Sequence, residues 1–491
     1  MTITDGSDIA VQSVNRGLLM GGRWRAAAGG RSFAVEDPAT GDALCDVADA
    51  SPDDALAALD AASSAQTSWA ETAPRERSEL LRRAYQLITD RTEELATLIT
   101  LEMGKSLAES RSEVAYGADY FRWFSEEAVR IVGEWKVNGA GNGHILTMRQ
   151  PVGPCLLITP WNVPLALPAR KVAPAIAAGC TMVLKPASHT PLSALALAGI
   201  LVEAGLPDGV INVIPTSTSS ATTRPLFQDP RLRKVSFTGS TAVGKVLIES
   251  SATNVLRTSM ELGGNAPFIV CADADVDAAV RGALTAKMRN LGEACIAANR
   301  FLVHADVADE FTEKLAAEMG SMTVGRGLEP GVQVGPLIDA AARDKVTELV
   351  NDAVDSGARI VVGGAVPSGP GYFYPPTVLT DVPSSARVCH EEIFGPVAPI
   401  TTFASDLDMI RAANDTEFGL VSYLFTRDVG RAIWLTERLE SGMVGLNRGY
   451  VSDAGAPFGG IKQSGLGREG GSSGIDEYLN VKYVAVDAPH D

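Results

Sequence analysis

From residue 151 onward the sequence alternates short apolar runs with helical stretches, and that alternation leaves few folds open. The apolar run Val152–Thr159 precedes a helical pattern over Ala169–Ala178, and Thr181–Leu184 precedes another over Pro191–Ala204. Val210–Ile214 and Lys234–Thr238 follow as apolar runs, and Thr241–Ser251 reads as helix. Runs spaced in this way form βαβ units, and βαβ units build a parallel sheet. A second series starts near Pro267. It reads as strands at Pro267–Val270, Phe301–His304, Ala358–Val362, Leu420–Phe425 and Met443–Leu446, with helices at Val276–Arg289 and Ala308–Met319. Two such series predict two α/β domains facing each other. Ligands are then expected at the C-terminal ends of strands and in the cleft between the domains.

The region from about 50 to 130 has helical spacing, opened by Pro52-Asp53-Asp54 and again by Pro74-Arg75-Glu76-Arg77. Residues 130–148 are Gly-rich and polar and interrupt the first series, and Tyr478–Val486 alternates like a strand. The stretch Pro151–Ala169 carries no charge but holds five prolines, so it cannot be a membrane helix and must be buried strand and turn. The chain of 491 residues has 42 basic and 59 acidic side chains, a formal charge of −17. That balance excludes the basic footprint of a nucleic-acid binder. Six cysteines without a CxxC pair and only five histidines argue against a zinc site or a disulfide framework. The stretch Met1 to Asn15 has acids and no apolar run, so no signal peptide is read there. A cytoplasmic protein with reduced thiols, no metal and no membrane partner is expected.

Two glycine motifs need care. Gly465-Leu-Gly467-Arg-Glu-Gly470 matches GxGxxG but no apolar strand precedes it, so it reads as a tight glycine loop. Gly239-Ser-Thr-Ala-Val-Gly244-Lys245 has the GxxxxGK frame but lacks the hydroxyl that would hold Mg²⁺. It follows a strand and opens a helix, so it is either a plain βα turn or an anion site at a helix N-terminus.

Three other residues carry chemistry. Cys295 lies in a polar, Gly-containing turn after a helix, whereas Cys180 and Cys271 lie in apolar runs and read as small buried hydrophobes. Glu261 ends a strand and is followed by Gly263-Gly264-Asn265; Asn162 follows another in Thr159-Pro160-Trp161-Asn162. Each alone has an ordinary structural explanation. Together they supply a nucleophile, a base and an oxyanion donor.

These residues, with Lys185-Pro186-Ala187, Phe237-Thr238-Gly239-Ser240-Thr241, Glu391-Glu392-Ile393-Phe394-Gly395-Pro396 and Pro457-Phe458-Gly459-Gly460, resemble the NAD(P)-dependent aldehyde dehydrogenases over nearly the whole chain. The resemblance implies an α/β fold with a Rossmann-type cofactor domain (1–129 and 149–261), a second α/β catalytic domain (262–462) and a small β oligomerisation arm and tail (130–148 and 463–491). A homodimer or homotetramer is expected by the same likeness. It also implies roles. Cys295 attacks the aldehyde, Asn162 and the Cys295 N–H hold the oxyanion, and Glu261 activates water to hydrolyse the thioester. Glu392 and Phe394 hold the nicotinamide side of the cofactor, and Thr159, Pro160, Trp161, Leu262, Gly239 and Ser240 line it.

Lys185 and Ser188 bear on which cofactor. NAD-preferring relatives carry an acid three residues after this lysine; Ser188 stands there instead, which suits a 2′-phosphate and points to NADP, with NAD possible. The alternative is that Ser188 only caps the following helix. Arg170, Arg289 and Ser452 match positions that bind the distal carboxylate in succinate-semialdehyde dehydrogenases, and guanidinium forks suit a carboxylate. The expected substrate is therefore a small aldehyde with a distal carboxylate, succinate semialdehyde oxidised to succinate, with glutarate semialdehyde or a broader set of aldehydes as the alternative. An acyl-transferring relative is disfavoured by Glu261. A non-catalytic cofactor-binding protein is disfavoured by the triad. Three departures stand out. Ala297 removes a second cysteine beside the nucleophile. Glu293 replaces a usual glutamine and is expected to place a negative charge near the thiol. Residues 214–220 lack a glycine common after that strand.

Overall fold

The computed structural model describes residues 10–487. The first nine residues of the stretch read for a signal peptide, and the last four of the tail, lie outside the described residues. The first alternating series forms the heart of an eight-stranded sheet. Its five parallel strands lie in the order Ile211–Val213, Met182–Lys185, Cys155–Ile158, Lys234–Thr238, Arg257–Glu261. The first of these in sequence, Cys155–Ile158, is central, and the chain builds outward on one side and then the other. The crevice where that direction reverses lies beyond Ile158 and Thr238, which places Thr159–Asn162 and Gly239 side by side.

The charge-free stretch behaves as its composition requires. Residues Cys155–Ile158 are buried, and the helix Ala166–Ala178 is buried at every position, with Pro168 in its first turn where no N–H is missed. Gly179, at φ 87°, ends that helix. Upstream, helices Pro74–Asp90 and Leu107–Glu127 pack on it and Pro52–Glu71 packs on the sheet, while Thr92–Met103 packs on Leu107–Glu127 and Leu192–Glu203. Ser51 opens the first of them with a capping box to Asp54.

The second series forms a seven-stranded sheet in the order Arg359–Val362, Thr377–Thr380, Val397–Phe403, Ala298–His304, Ala266–Val270, Val421–Phe425, Met443–Leu446, parallel except for its first edge strand. Its orientation corrects one expectation. Gly263-Gly264, Cys295 and Glu392-Phe394 all precede strands of this sheet, so it offers its N-terminal edge to the cleft. Only the first sheet offers its C-terminal edge.

Leu479–Asp487 pairs with Gly143–Pro151, which pairs with Glu134–Val137, in a separate three-stranded sheet. The span assigned to arm and tail is divided, however. Gly465–Leu466 joins the eight-stranded sheet beside Met260–Glu261, and Glu469 bridges to Phe458. The GxGxxG segment is thus a loop threaded against the main sheet. Gly465, at φ 135°, lies so close to the Met260 carbonyl that a Cβ would collide with it.

Candidate active site

One cavity of about 480 Å³ lies between the two sheets. Cys295, Glu261 and Asn162 line it, as do Pro160, Trp161, Arg170, Gly239, Ser240, Leu262, Arg289, Glu392, Phe394 and Ser452. Of the residues singled out from the sequence, Thr159, Lys185 and Ser188 lie outside that lining, further along the crevice of the first sheet.

Cys295 is half-buried in a loop that starts with an unusual backbone. Asn290 and Leu291 have φ of 55° and 59°, and Gly292 follows at 76°. Such positions are strained for residues with side chains and cluster at functional sites. Burial pushes the Cys295 thiol up to about 12; Arg170 pulls it down, while Glu392 and Glu261 push it further up. Asn162 follows the central strand, and its Nδ2 donates to the Glu293 carbonyl at 2.9 Å. Glu261 ends its strand fully buried, with one carboxylate oxygen unpaired. Burial and the neighbouring Glu469 raise its pKa well above the ordinary carboxyl range, against the pull of Arg170, Lys171 and Arg468. A thiol, an amide and a carboxyl with raised proton affinity therefore share one cavity, which suits acyl chemistry on a carbonyl.

Residues 24–484 match the aldehyde dehydrogenase family. The chain belongs to that family. It is 60% identical to a succinate-semialdehyde dehydrogenase of Paenarthrobacter nicotinovorans, over 91% of this chain and all of that one. It is 47% identical to a glutarate-semialdehyde dehydrogenase of Pseudomonas aeruginosa, over 95% and 96% of the two chains. A crystal structure described as an Escherichia coli NADP-dependent enzyme superposes with a TM-score of 0.95 at 47% identity, covering 97% of this chain and 98% of that one.

Within this aldehyde dehydrogenase the two arginines differ. Arg170 is 2% exposed, paired through Nε with Glu469 at 2.5 Å and stacked on the Phe458 ring at 4.2 Å. Lys171 Nζ holds the other oxygen of Glu469 at 2.5 Å. Burial opposes ionisation of Glu469, but the two cations outweigh it and hold its pKa below the ordinary range. Arg170, expected from the sequence at the substrate carboxylate, thus pairs with an internal carboxylate while it lines the cavity with its Nη2 buried and unpartnered among the described residues. Arg289 forms no ion pair among the described residues; its guanidinium lies 4.2 Å from the Tyr450 ring. Ser452 is buried beside it in the cavity lining. Tyr450, Tyr116 and Glu469 were not singled out from sequence, since a tyrosine or a loop acid gives no signal until the fold surrounds it.

Glu293 also departs from expectation. It is buried, accepts the Ile338 N–H at 3.2 Å, and burial raises its pKa well above the ordinary range. Burial therefore works against the negative charge expected beside the thiol. Glu392 accepts the Gly264 N–H at 3.0 Å, and burial raises its carboxyl to about 7. Phe394, at φ 57°, meets Trp161 edge-on at 5.5 Å. Asn299 accepts the Ile393 N–H at 3.0 Å and so fixes the loop that carries both.

On the far side of the crevice Lys185 is buried, donates to Ser219 Oγ at 2.7 Å, and burial lowers its pKa to about 8. Ser188 makes no helix cap. The helix Leu192–Glu203 is instead capped by Glu102, which accepts the Leu192 and Ser193 N–H groups at 2.7 and 2.8 Å. In the glycine-poor segment, Ser217 and Thr216 hydroxyls bond Asp49. Ser240 caps Thr241–Ser251, and a Cβ on Gly244 would collide with Leu262. No group of three or more His, Cys, Asp or Glu side chains that could hold a metal occurs among the described residues. No helix among them is long and apolar enough to cross a membrane.

Proposed function

We propose that this aldehyde dehydrogenase oxidises succinate semialdehyde to succinate with NADP⁺, accepting NAD⁺ less well. The observation that carries the substrate is Arg289: a cation without an acid partner, backed by Tyr450 and next to Ser452, in the cavity that holds Cys295. A guanidinium in that setting recruits a carboxylate. The identity to a succinate-semialdehyde dehydrogenase supports the same reading.

The crevice fits a dinucleotide. Thr159 and Thr238 hydroxyls end the two strands at its switch point, buried and unpartnered. Ser188 has no internal hydrogen-bonding role, and Lys185 lies at the end of the neighbouring strand. Lys185 and Ser188 would take the ribose phosphate, the Gly239-Ser240 turn the pyrophosphate, and Trp161, Leu262, Glu392 and Phe394 the nicotinamide end. Bound there, the cofactor supplies the acceptor for the aldehyde's hydride.

The protein's own groups carry the rest. Cys295 releases its proton to solvent water and its sulfur adds to the aldehyde carbon, giving a thiohemiacetal. Its oxyanion is met by the Asn162 amide and the Cys295 N–H; a single such donor is worth about 3–4 kcal/mol. Loss of hydride leaves a thioester on Cys295. Glu261, whose proton affinity burial raises, takes a proton from water as the hydroxyl adds. The carboxylic acid leaves and the thiol is restored.

We assign 10–129, 152–261 and the threaded loop 463–478 to the cofactor domain, 262–462 to the catalytic domain, and the strands around 134–151 and 479–487 to an arm that pairs subunits in a dimer or tetramer. The arm exposes Trp135, Val137, Val481 and Tyr483, each about 60% accessible, which suits burial against a second copy. Six free cysteines fit the reducing cytoplasm. The deciding experiment compares initial rates for succinate semialdehyde, glutarate semialdehyde and propanal with each cofactor. The highest kcat/KM is expected for succinate semialdehyde with NADP⁺; propanal as good a substrate would overturn the assignment.

A further inference from the structure

One side-chain amide ties the two halves of the catalytic centre together. Asn290 Nδ2 donates to the Asn162 carbonyl at 3.0 Å and to the Glu293 carbonyl at 2.8 Å. The first of these carbonyls also accepts from Lys105 Nζ at 2.9 Å. The second also accepts from the Asn162 side chain at 2.9 Å. Lys105 is anchored by Glu113 at 2.7 Å, and the other Glu113 oxygen accepts the Leu165 and Ala166 N–H groups at the start of helix Ala166–Ala178. All these side chains are at least nine-tenths buried.

The consequence falls on the Asn162 amide. Its nitrogen has two N–H bonds. One is held by the Glu293 carbonyl, which fixes the rotation of the group, because turning it over would set two acceptors face to face. The second N–H has no protein acceptor, and Asn162 lines the cavity with Cys295. The strained Asn290–Gly292 turn is what brings the Glu293 carbonyl to this position.

We propose that Asn290 and Lys105 are positioning residues of the oxyanion site. They lock the Asn162 loop to the Cys295 loop, so that the amide is aimed before substrate arrives. Oxyanion stabilisation depends on such preorganisation, and displacement by about 1 Å can cost about a hundredfold in rate. The proposal rests on the reading of Asn162 as an oxyanion donor.

A double-mutant cycle on the full-length enzyme tests it. Asn290→Gly suits the positive φ and removes only the amide. Asn162→Ala is expected to lower kcat about 10²–10³-fold. Asn290→Gly is expected to lower kcat about 10–100-fold with aldehyde KM changed less than about threefold, and to cost less than about threefold when Asn162 is already Ala. Melting temperature and stoichiometric labelling of Cys295 show that each variant is folded. If Asn290→Gly does not fold, Lys105→Met enters the same cycle with the same expectation. Losses that multiply, with Asn162→Ala itself impaired, overturn this proposal alone. Wild-type kcat in Asn162→Ala overturns the oxyanion reading and this proposal with it.

Discussion

Replacing Arg289 separates recognition from chemistry in this site. The guanidinium has no carboxylate partner among the described residues and stacks on Tyr450 at 4.2 Å. Arg289→Ala therefore strips no internal charge pair. Against a semialdehyde it removes charge-assisted hydrogen bonds worth about 1.5–3 kcal/mol each. Counting one at full strength and the fork's second as partly screened gives about 3 kcal/mol, or about a hundredfold in kcat/KM. The loss is expected in kcat/KM for succinate semialdehyde, whereas propanal, with no distal carboxylate, is expected to change less than about threefold. Arg170→Ala is the control. It leaves Glu469 buried with Lys171 alone. Breaking a buried pair costs about 3–5 kcal/mol, so this variant is expected to melt earlier and to lose activity on both substrates. The assay is initial rate on both aldehydes with saturating NADP⁺, beside a thermal melt. If Arg289→Ala falls equally on both substrates, or Arg170→Ala keeps its melting temperature and loses only the semialdehyde, the arginine roles drawn above are wrong.

Ser188→Asp sets an acid beside the site assigned to the 2′-phosphate. Repulsion of about 3 kcal/mol at ~5 Å and an effective dielectric of ~20 predicts at least about a tenfold rise in KM for NADP⁺ with little change for NAD⁺; an equal effect on both cofactors refutes it. Glu261→Gln is expected to form about one NADPH per active site in a burst and then stall, because hydrolysis lacks its base; steady wild-type turnover refutes that role. Burial disfavours the charged form of Glu293 in the fold. Its pKa is raised above that of the unfolded chain, so the stability it contributes is complete below the unfolded carboxyl pKa and is lost as pH rises toward the folded value. The melting-temperature advantage of Glu293→Gln over wild type is thus expected to widen from pH 5 to pH 8, by up to about 1.4 kcal/mol per unit within that window. A gap that stays constant shows the group to be ionised in the fold.

Much of the architecture was legible because burial leaves a periodic trace. The runs at 152–159, 181–184 and 210–214 became neighbouring parallel strands, the first and last trimmed at both ends and the middle one shifted by a residue. The strands Thr377–Thr380 and Val397–Phe403 escaped notice, since Pro375, Pro376 and Pro396 before them and Pro399 inside the second break up the pattern. Cys295, Glu261 and Asn162 were legible from motif and turn context, because strand ends and the turns beside them line the cleft where α/β sheets bind ligands.

By itself the sequence determined the pair of α/β series, the reactive thiol with its acid and amide, and the cationic residues available for anions. Those follow from side-chain chemistry and local spacing. Tertiary structure alone decided which arginine is free: Arg170 and Arg289 read alike until Glu469, about three hundred residues further along the chain from Arg170, takes one of them. It also decided that burial disfavours a charge on Glu293 and that Glu102, not Ser188, caps a helix. An ion pair, a buried carboxyl and a remote cap depend on what the fold brings within hydrogen-bond reach and on how much water it removes. Neither is written in the local order of residues.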